Sequence, residues 1–292
     1  MSIDLHVHSK NSDGSLSKEE IIDIALSQQL EAISITDHEY LTEVDVNEKI
    51  EIIPGVEISV NWHELDIANK YSGTHLLVYF ITEDSSLNKH LEVLRTRKIS
   101  RNYQILENLK SLEIEIDKSE IDLFDTKVPG RPHIAELLIK HGYVETISEA
   151  FAKYLGNGKL DNLNQHQEDI QNIIGLAKES NCLVFLAHPH TLMSNPQYSK
   201  NTNWINNDFE ELIIQLNTFG IDGVETYYPG YSSSTINSLN ELTKKYNLLT
   251  SGGSDFHGDK KPNNLLGIGY ENQPINVSYE LLNKMKEKHA KL

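Results

Sequence analysis

One pattern constrains this chain more than any other: short β-like runs that carry or abut histidine and carboxylate, separated by stretches of helical periodicity. The runs are Ile3 to Val7, with His6 inside and His8 next; Ala32 to Thr36, leading into Asp37-His38; Ile52 to Ser59, with Glu57 inside; and His75 to Ile81. Later come Leu183 to Ala187 before His188-Pro-His190, Gly223 to Thr226, and Leu248 to Thr250 before Ser251-Gly-Gly-Ser-Asp255-Phe-His257. Seven such runs interleaved with helices predict an α/β fold whose parallel strands close as a barrel. Barrels of this kind place chemistry at the carboxyl ends of their strands, so distant polar clusters would meet there.

The first run is the most informative. Ile3, Leu5 and Val7 alternate with Asp4, His6 and His8, so an extended strand sends both imidazoles to one side. Asp13 follows on a turn closed by Gly14. Neighbouring imidazoles with a carboxylate suit divalent cations of the zinc, manganese or iron kind, although the same residues also fit a polar strand edge. Ser17-Lys-Glu-Glu20 then reads as a capping box that opens a helix with Ile21, Ile22, Ala25 and Leu26 on its apolar face.

Between about Leu87 and Leu160 the texture changes to helical periodicity rich in charge: Leu91 to Leu109, Ile134 to Leu138, and Ala150 to Tyr154 each suggest a helix. The chain therefore divides into a discontinuous α/β body, residues 1–86 and 161–292, and a helical insertion, residues 87–160. Helices are expected near Asp169 to Glu179, Phe209 to Thr218 and Thr235 to Tyr246.

A formal charge of −17 disfavours a protein that sheathes long nucleic acid with lysine and arginine. A small phosphorylated substrate remains compatible, because bound cations reverse the local sign. No apolar run reaches membrane-spanning length and the start has no leader pattern, so a soluble, cytoplasmic protein is expected. The one cysteine, Cys182, sits in an apolar run and is expected in the core.

Collected together, His6, His8, Asp13, His38, Glu57, His75, His188, Asp255 and His257 are too many ligands for one tetrahedral ion. Two or three divalent cations, manganese, iron or zinc, would balance the carboxylates and accept the nitrogens. These residues stand in motifs, Asp-Leu-His6-Val-His8, Ser-Asp13-Gly, Thr-Asp-His38, Gly-Val-Glu57-Ile-Ser, His75, Ala-His188-Pro and Gly-Ser-Asp255-Phe-His257. In that order the chain resembles the PHP (polymerase and histidinol phosphatase) superfamily of metal-dependent phosphoesterases. Within it, the chain is similar to the branch that dephosphorylates nucleoside 3′,5′-bisphosphates and trims short RNA from its 5′ end.

The resemblance implies a distorted seven-stranded, TIM-like (β/α)7 barrel with up to three metals at its mouth. It assigns His6, His8, Glu57 and Asp255 to one ion, Glu57 with His75 and His188 to a second, and Asp13, His38 and His257 to a third. Two ions sharing Glu57 would lower the pKa of a bridging water to give the hydroxide that attacks phosphorus. Arg131 and His133, in Gly-Arg-Pro-His, match an Arg-x-His element of the branch and are candidates to clamp a phosphate. Where many relatives carry glycine after His188-Pro, this chain has His190, either a proton donor, a phosphate contact or a loop cap. Tyr227, Tyr228 and Tyr231 either stack on a base or pack a loop. His63, His90, His141, His166 and His289 stand in no motif.

The catalytic candidates are thus Glu57, Asp255 and His190, and the substrate contacts Arg131, His133, His190 and Tyr228. The expected reaction is hydrolysis of a phosphomonoester on a small nucleotide. Alternatives are 5′ to 3′ exonuclease action on short oligonucleotides, cyclic phosphodiester hydrolysis, histidinol phosphate hydrolysis and a non-catalytic metal-binding module.

Overall fold

Alternating Ile3, Leu5 and Val7 make β1 (Ile3–Val7), which is buried along its whole length rather than on one face. The computed structural model describes residues 2–45, 49–62, 73–156, 159, 163, 167–192 and 204–292. The capping box is present on α1 (Lys18–Ser27): Ser17 Oγ accepts from the Glu20 N–H, and Glu20 Oε2 accepts from the Ser17 N–H at 2.8 Å. This helix returns the chain to β2 (Ala32–Ile35), parallel to β1.

The run from Ile52 to Ser59 is not one strand. It divides into β3 (Glu51–Ile52), parallel to β2, and β4 (Gly55–Asn61), which belongs to a second sheet. Pro54 lies at the break, where the missing N–H interrupts a ladder. The next strand, β5 (Thr74–Tyr79), is antiparallel to β4 with Ser59 opposite His75, against the expectation of parallel strands throughout. Antiparallel neighbours need no crossover helix. The reversal also brings the start of β5, and His75 with it, to the edge where β4 ends.

The helical stretch comprises α2 (Ser86–Lys110), α3 (Arg131–Lys140) and α4 (Ile147–Ala150), the last running directly into a π-helical turn at Phe151–Leu155. Leu87, Leu91 and Leu94 of α2 pack into the main core, against Val60, Leu76 and Ile170 among others. Ile105, Leu106 and Leu109 of the same helix pack into a separate core with Ile134, Leu138, Ala150 and Leu155. One helix therefore serves both cores.

The second sheet is completed by β6 (Glu168–Asp169), β7 (Leu183–Leu186), β8 (Gly223–Tyr227) and β9 (Leu249–Gly252), in the order β6-β4-β5-β7-β8-β9. Between them run α5 (Ile170–Glu179), α6 (Asn207–Phe219) and α7 (Ser233–Lys245). Only β5 is reversed; the pairs β4–β6, β7–β8 and β8–β9 are parallel. Among the described residues the three-stranded and six-stranded sheets do not join into a continuous barrel. They meet at single bridges, Val7 to Phe256 and His38 to Glu57. Positive φ angles at Asp255 (53°) and Glu39 (47°) turn the backbone out of the ladder beside both bridges.

A final helix, α8 (Tyr279–His289), had no counterpart in the sequence reading; Leu282 and Met285 bury its inner face in a core shared with Ile3 and Leu5. Cys182 is fully buried, and burial pushes its thiol up to about 12. His90 contacts Glu168 at 3.2 Å, His141 contacts Glu120 at 2.8 Å, and His289 stacks on Phe80 with centroids 4.3 Å apart. His63, Leu160 and His166 lie outside the described residues.

Candidate metal centre

The period of two in β1 aligns its histidines: the Nε2 atoms of His6 and His8 lie 3.2 Å apart, both buried. They face Glu57, which β4 carries at its middle. Glu57 Oε2 is 3.3 Å from His6 Nε2, 3.0 Å from His8 Nε2 and 3.4 Å from His38 Nδ1. Glu57 Oε1 is 2.7 Å from His75 Nδ1 and 2.8 Å from His188 Nε2. A single carboxylate is thus shared by five imidazoles. Burial alone would raise its pKa; His75, His6 and His38 hold it well below the usual carboxylate range.

Two further carboxylates flank this centre. Asp255 Oδ1 is 3.5 Å from His6 and His8 and 3.4 Å from His257 Nδ1, while its Oδ2 accepts from Tyr228 OH and Lys261 Nζ, each at 2.7 Å. Asp13 Oδ1 lies 3.5 Å from His8 Nδ1 and 3.4 Å from His257 Nε2, and Asp13 Oδ2 lies 3.6 Å from His38 Nε2. Both carboxyls are held well below their ordinary range despite burial, Asp255 by Lys261 and the imidazoles, Asp13 by His38 and His257. Burial pushes His38 down to about 3, so at neutral pH its ring is uncharged and one of its two nitrogens offers a lone pair.

All nine residues therefore converge, drawn from strands of both sheets and from the turns that follow them. Four triplets bring their ligand atoms within 4.8 Å of one another: His6-Glu57-His188, His6-His8-Asp255, His8-His38-Glu57 and His8-Asp13-His257. Asp13 stands between two of these imidazoles, its Oδ1 beside His8 and its Oδ2 beside His38, with His257 next to Oδ1. Asp13 Oδ1 and His38 Nδ1 are buried without a hydrogen-bond partner, their neighbours at 3.4 to 3.5 Å lacking hydrogen-bond geometry. Orphaned buried acceptors among imidazoles are what divalent cations satisfy, so the donor set fits such ions.

Close backbone approach makes this crowding possible. A Cβ on Gly253 would lie 2.4 Å from His6 N and Cβ, and one on Gly14 would lie 2.3 Å from the His8 carbonyl oxygen. Three carboxylates outside the nine hold the set in place, and the sequence reading missed all three. Glu225 Oε1 accepts from His6 Nδ1 at 2.8 Å and its Oε2 from the His188 N–H at 2.6 Å. Asp37 accepts from the Ser9 N–H and from the hydroxyls of Ser9, Ser12 and Thr42, fixing the turn that carries Asp13. Asp4 accepts from Ser254 N–H and Oγ and from the Gly267 N–H, anchoring the segment before Asp255. Glu225 did carry a signal, since it stands in the same Gly-Val-Glu tripeptide as Glu57.

A cavity of about 560 Å³ opens above the centre, with Asp13, His38, Glu57, His75, His188, Asp255 and His257 on its floor. A side pocket of about 270 Å³ adjoins it and is lined by Lys98, Arg101 and Arg131 together with Asp13, His38 and His75. Arg101 is 5% exposed and its Nε has no partner; Arg131 donates to the Leu155 carbonyl at 3.2 Å. Among the described residues neither guanidinium has a carboxylate at ion-pair distance. Burial and the Arg131 charge push Arg101 down to about 10. A larger depression, about 770 Å³ between Lys261–Leu265 and Tyr270–Asn272, borders none of the nine.

The expected substrate contacts are placed unevenly. Arg131 lines the side pocket, whereas His133 is turned inward, its Nδ1 accepting from the Gly130 N–H as a helix cap at 3.1 Å. His190 lies beside the centre with its Nδ1 2.9 Å from Tyr231 OH, and burial pushes it down to about 3. Tyr227 ends β8, and the hydroxyls of Tyr228 and Tyr231 are engaged by Asp255 and His190; Tyr231 is buried, whereas Tyr227 and Tyr228 are half-buried.

The family model of the PHP domain matches residues 4–249 of this chain. A Haemophilus influenzae protein named 5′-3′ exoribonuclease is 29% identical over 87% of this chain and 89% of its own length. A Chromobacterium violaceum protein named 3′,5′-nucleoside bisphosphate phosphatase is 26% identical over 87% of each. The fold is similar to a solved structure described as an amidohydrolase from the same organism, with a TM-score of 0.76 over 99% of this chain and 97% of that one, at 23% identity.

Proposed function

Since this chain belongs to the PHP domain family of phosphoesterases, we propose that it hydrolyses a phosphomonoester on a small nucleotide, a nucleoside 3′,5′-bisphosphate being the substrate its site suits best. The observation that carries this reading is the side pocket: the buried guanidinium of Arg101 and the half-buried one of Arg131 have, among the described residues, no carboxylate at ion-pair distance, beside a centre able to hold the reacting phosphate. Buried cations without a counter-ion are costly, and a second phosphate on the substrate supplies the missing charge.

His6, His8, Asp13, His38, Glu57, His75, His188, Asp255 and His257 would hold two or three divalent cations, with manganese, iron and zinc all matching a mixed imidazole and carboxylate set. When bound, these cations supply Lewis acidity toward the phosphoryl group and a water nucleophile. The protein's own groups do the rest. Arg131, Arg101 and Lys98 bind and orient the non-reacting phosphate. Tyr228 and Lys261 hold Asp255 Oδ2, which leaves Oδ1 turned toward the imidazoles. Lys261, whose side chain is exposed and whose pKa Asp255 keeps above its ordinary value against partial desolvation, also sets an ammonium on the cavity wall. Water adds to phosphorus, the ester P–O bond breaks, and the leaving alkoxide takes up a proton.

A second reading, removal of nucleotides from the 5′ end of a short RNA, is favoured by the relative named as a 5′-3′ exoribonuclease. Phosphate release from adenosine 3′,5′-bisphosphate, measured beside product analysis of a 5′-phosphorylated oligoribonucleotide with manganese present, separates the two. Conversion of the bisphosphate with the oligomer untouched supports the first, and successive mononucleotides support the second. Asp255→Asn should abolish either activity; an unimpaired variant refutes the proposed centre.

A further inference from the structure

The cavity above the metal centre is polar on its floor and apolar on one side. That side comes from the helical stretch: Pro132 and Ile139 of α3, Ile147 of α4 and Phe151 at the start of the π turn. Ile147 is 39% exposed, one of few large apolar side chains in the described chain to be so, and it faces the cavity. Phosphates and cations gain nothing from such a wall, so it needs an apolar moiety of the ligand to cover it.

Two features identify that moiety. Phe151 and Pro132 line both the metal cavity and the cationic side pocket, so they stand where the two meet. A nucleoside bisphosphate with one phosphate at each place would have its sugar at this junction and its base projecting from it. Arg131 also ties the wall to the side pocket, its guanidinium lying 5.6 Å from the Phe151 ring centroid while it donates to Leu155. The tyrosines after β8 line neither cavity: Tyr231 is 2% exposed and the half-buried Tyr228 ring is packed against His188 and His190. The π turn itself is a rare geometry that recurs at functional sites.

We propose that Pro132, Ile139, Ile147 and Phe151 form the seat of the substrate's nucleobase, so that the helical stretch, not the barrel-like body, recognises the nucleoside. This rests on the nucleotide reading of the site. Contacts of this kind are blind to base identity but require a base. The wild type should therefore turn over adenosine and uridine 3′,5′-bisphosphates with similar KM and discriminate against the abasic tetrahydrofuran 3′,5′-bisphosphate by about tenfold in kcat/KM.

The test is steady-state phosphate release from these three compounds by the metal-loaded full chain and by Ile147→Ser and Phe151→Leu. Ile147 is exposed and outside the packed cores, so its replacement leaves folding intact. Both variants should raise KM for the two nucleotides about three- to tenfold at unchanged kcat; Ile147→Ser, which touches no phosphate-binding group, should leave the abasic compound unaffected, whereas Phe151→Leu, through Arg131, should raise its KM less than that of the nucleotides. Equal effects of Ile147→Ser on all three compounds, or none on any, overturn the proposal while leaving the phosphatase reading standing. Failure of the wild type to release phosphate from any of them removes both.

Discussion

Replacing Glu225 by glutamine tests whether the ligand set depends on a residue outside it. Glu225 is fully buried and accepts two hydrogen bonds, from the His6 ring and from the His188 backbone. Accepting from Nδ1–H leaves the His6 Nε2 lone pair directed at Glu57 and His8. Glutamine of the same shape offers one acceptor and one donor. If its oxygen stays on the His188 N–H, its amide group faces His6 Nδ1, and the imidazole proton must move to Nε2, the atom needed for a cation. If the amide turns over, the His188 N–H meets another donor, at a residue already held at a φ of 25°. Either way one charge-assisted bond is lost, about 1.5–3 kcal/mol. At about 1.4 kcal/mol per decade this weakens metal affinity roughly 10- to 100-fold. Titration of metal-free protein with manganese or zinc against a chromophoric chelator reads the affinity directly, and urea unfolding of the metal-free variant separates it from a general loss of stability. Wild-type affinity in Glu225→Gln would refute the reasoning.

Arg101→Met or Arg131→Met should raise KM for adenosine 3′,5′-bisphosphate roughly 10- to 100-fold while changing it less than about threefold for a simple monophosphate such as phenyl phosphate; equal changes for both would place the second phosphate elsewhere. Lys98→Met leaves the Glu39 carboxylate, otherwise paired with Lys98 Nζ at 2.6 Å, buried with only the Ser59 N–H, so urea unfolding at neutral pH should register a loss of about 3–5 kcal/mol. Adding Glu39→Gln to that variant should restore much of it, and no restoration would mean that the pair is not the cause. Cys182, fully buried with its thiol near 12, should stay unreactive toward a disulfide reagent at pH 8 in native protein and react once in denaturing urea.

Most of the nine candidate ligands were legible because metal chemistry restricts residue type and strand ends restrict position, and His6 and His8 in alternation need little else to be placed; Glu57, inside β4, was marked by its Gly-Val-Glu-Ile-Ser motif and not by spacing. What could not be read were facts of register and direction. No local preference distinguishes a reversed β5 from a parallel one, because Thr74–Tyr79 is equally buried on both faces in either case. The break at Pro54 was visible as a residue but not as a change of sheet. Glu225, Asp37 and Asp4 act through hydrogen bonds to the site's own backbone and rings; the repeated Gly-Val-Glu tripeptide marks Glu225, but neither Asp37 nor Asp4 carries a mark of what it accepts from. His133 carries a role its motif does not announce: its place in the Arg-x-His element suggested a phosphate contact, and its spacing from Gly130 also makes its Nδ1 a helix cap. The apolar wall consists of ordinary core residue types, and only the cavity in front of them sets them apart.

The helix that serves both cores has a mechanical consequence. The 25 residues of α2 span about 37 Å without a glycine or proline, so nothing within this shaft can act as a hinge. Leu87, Leu91 and Leu94 clamp one end to the main body, and Lys98 and Arg101 ride at its middle. Lys98 and Arg101 are therefore set on the fixed part of the molecule, as a rail is bolted to its bed. The far end of the same shaft, through Ile105, Leu106 and Leu109, is the bed on which Phe151 rests, so one rigid rod sets the distance between the cationic pocket and the apolar wall.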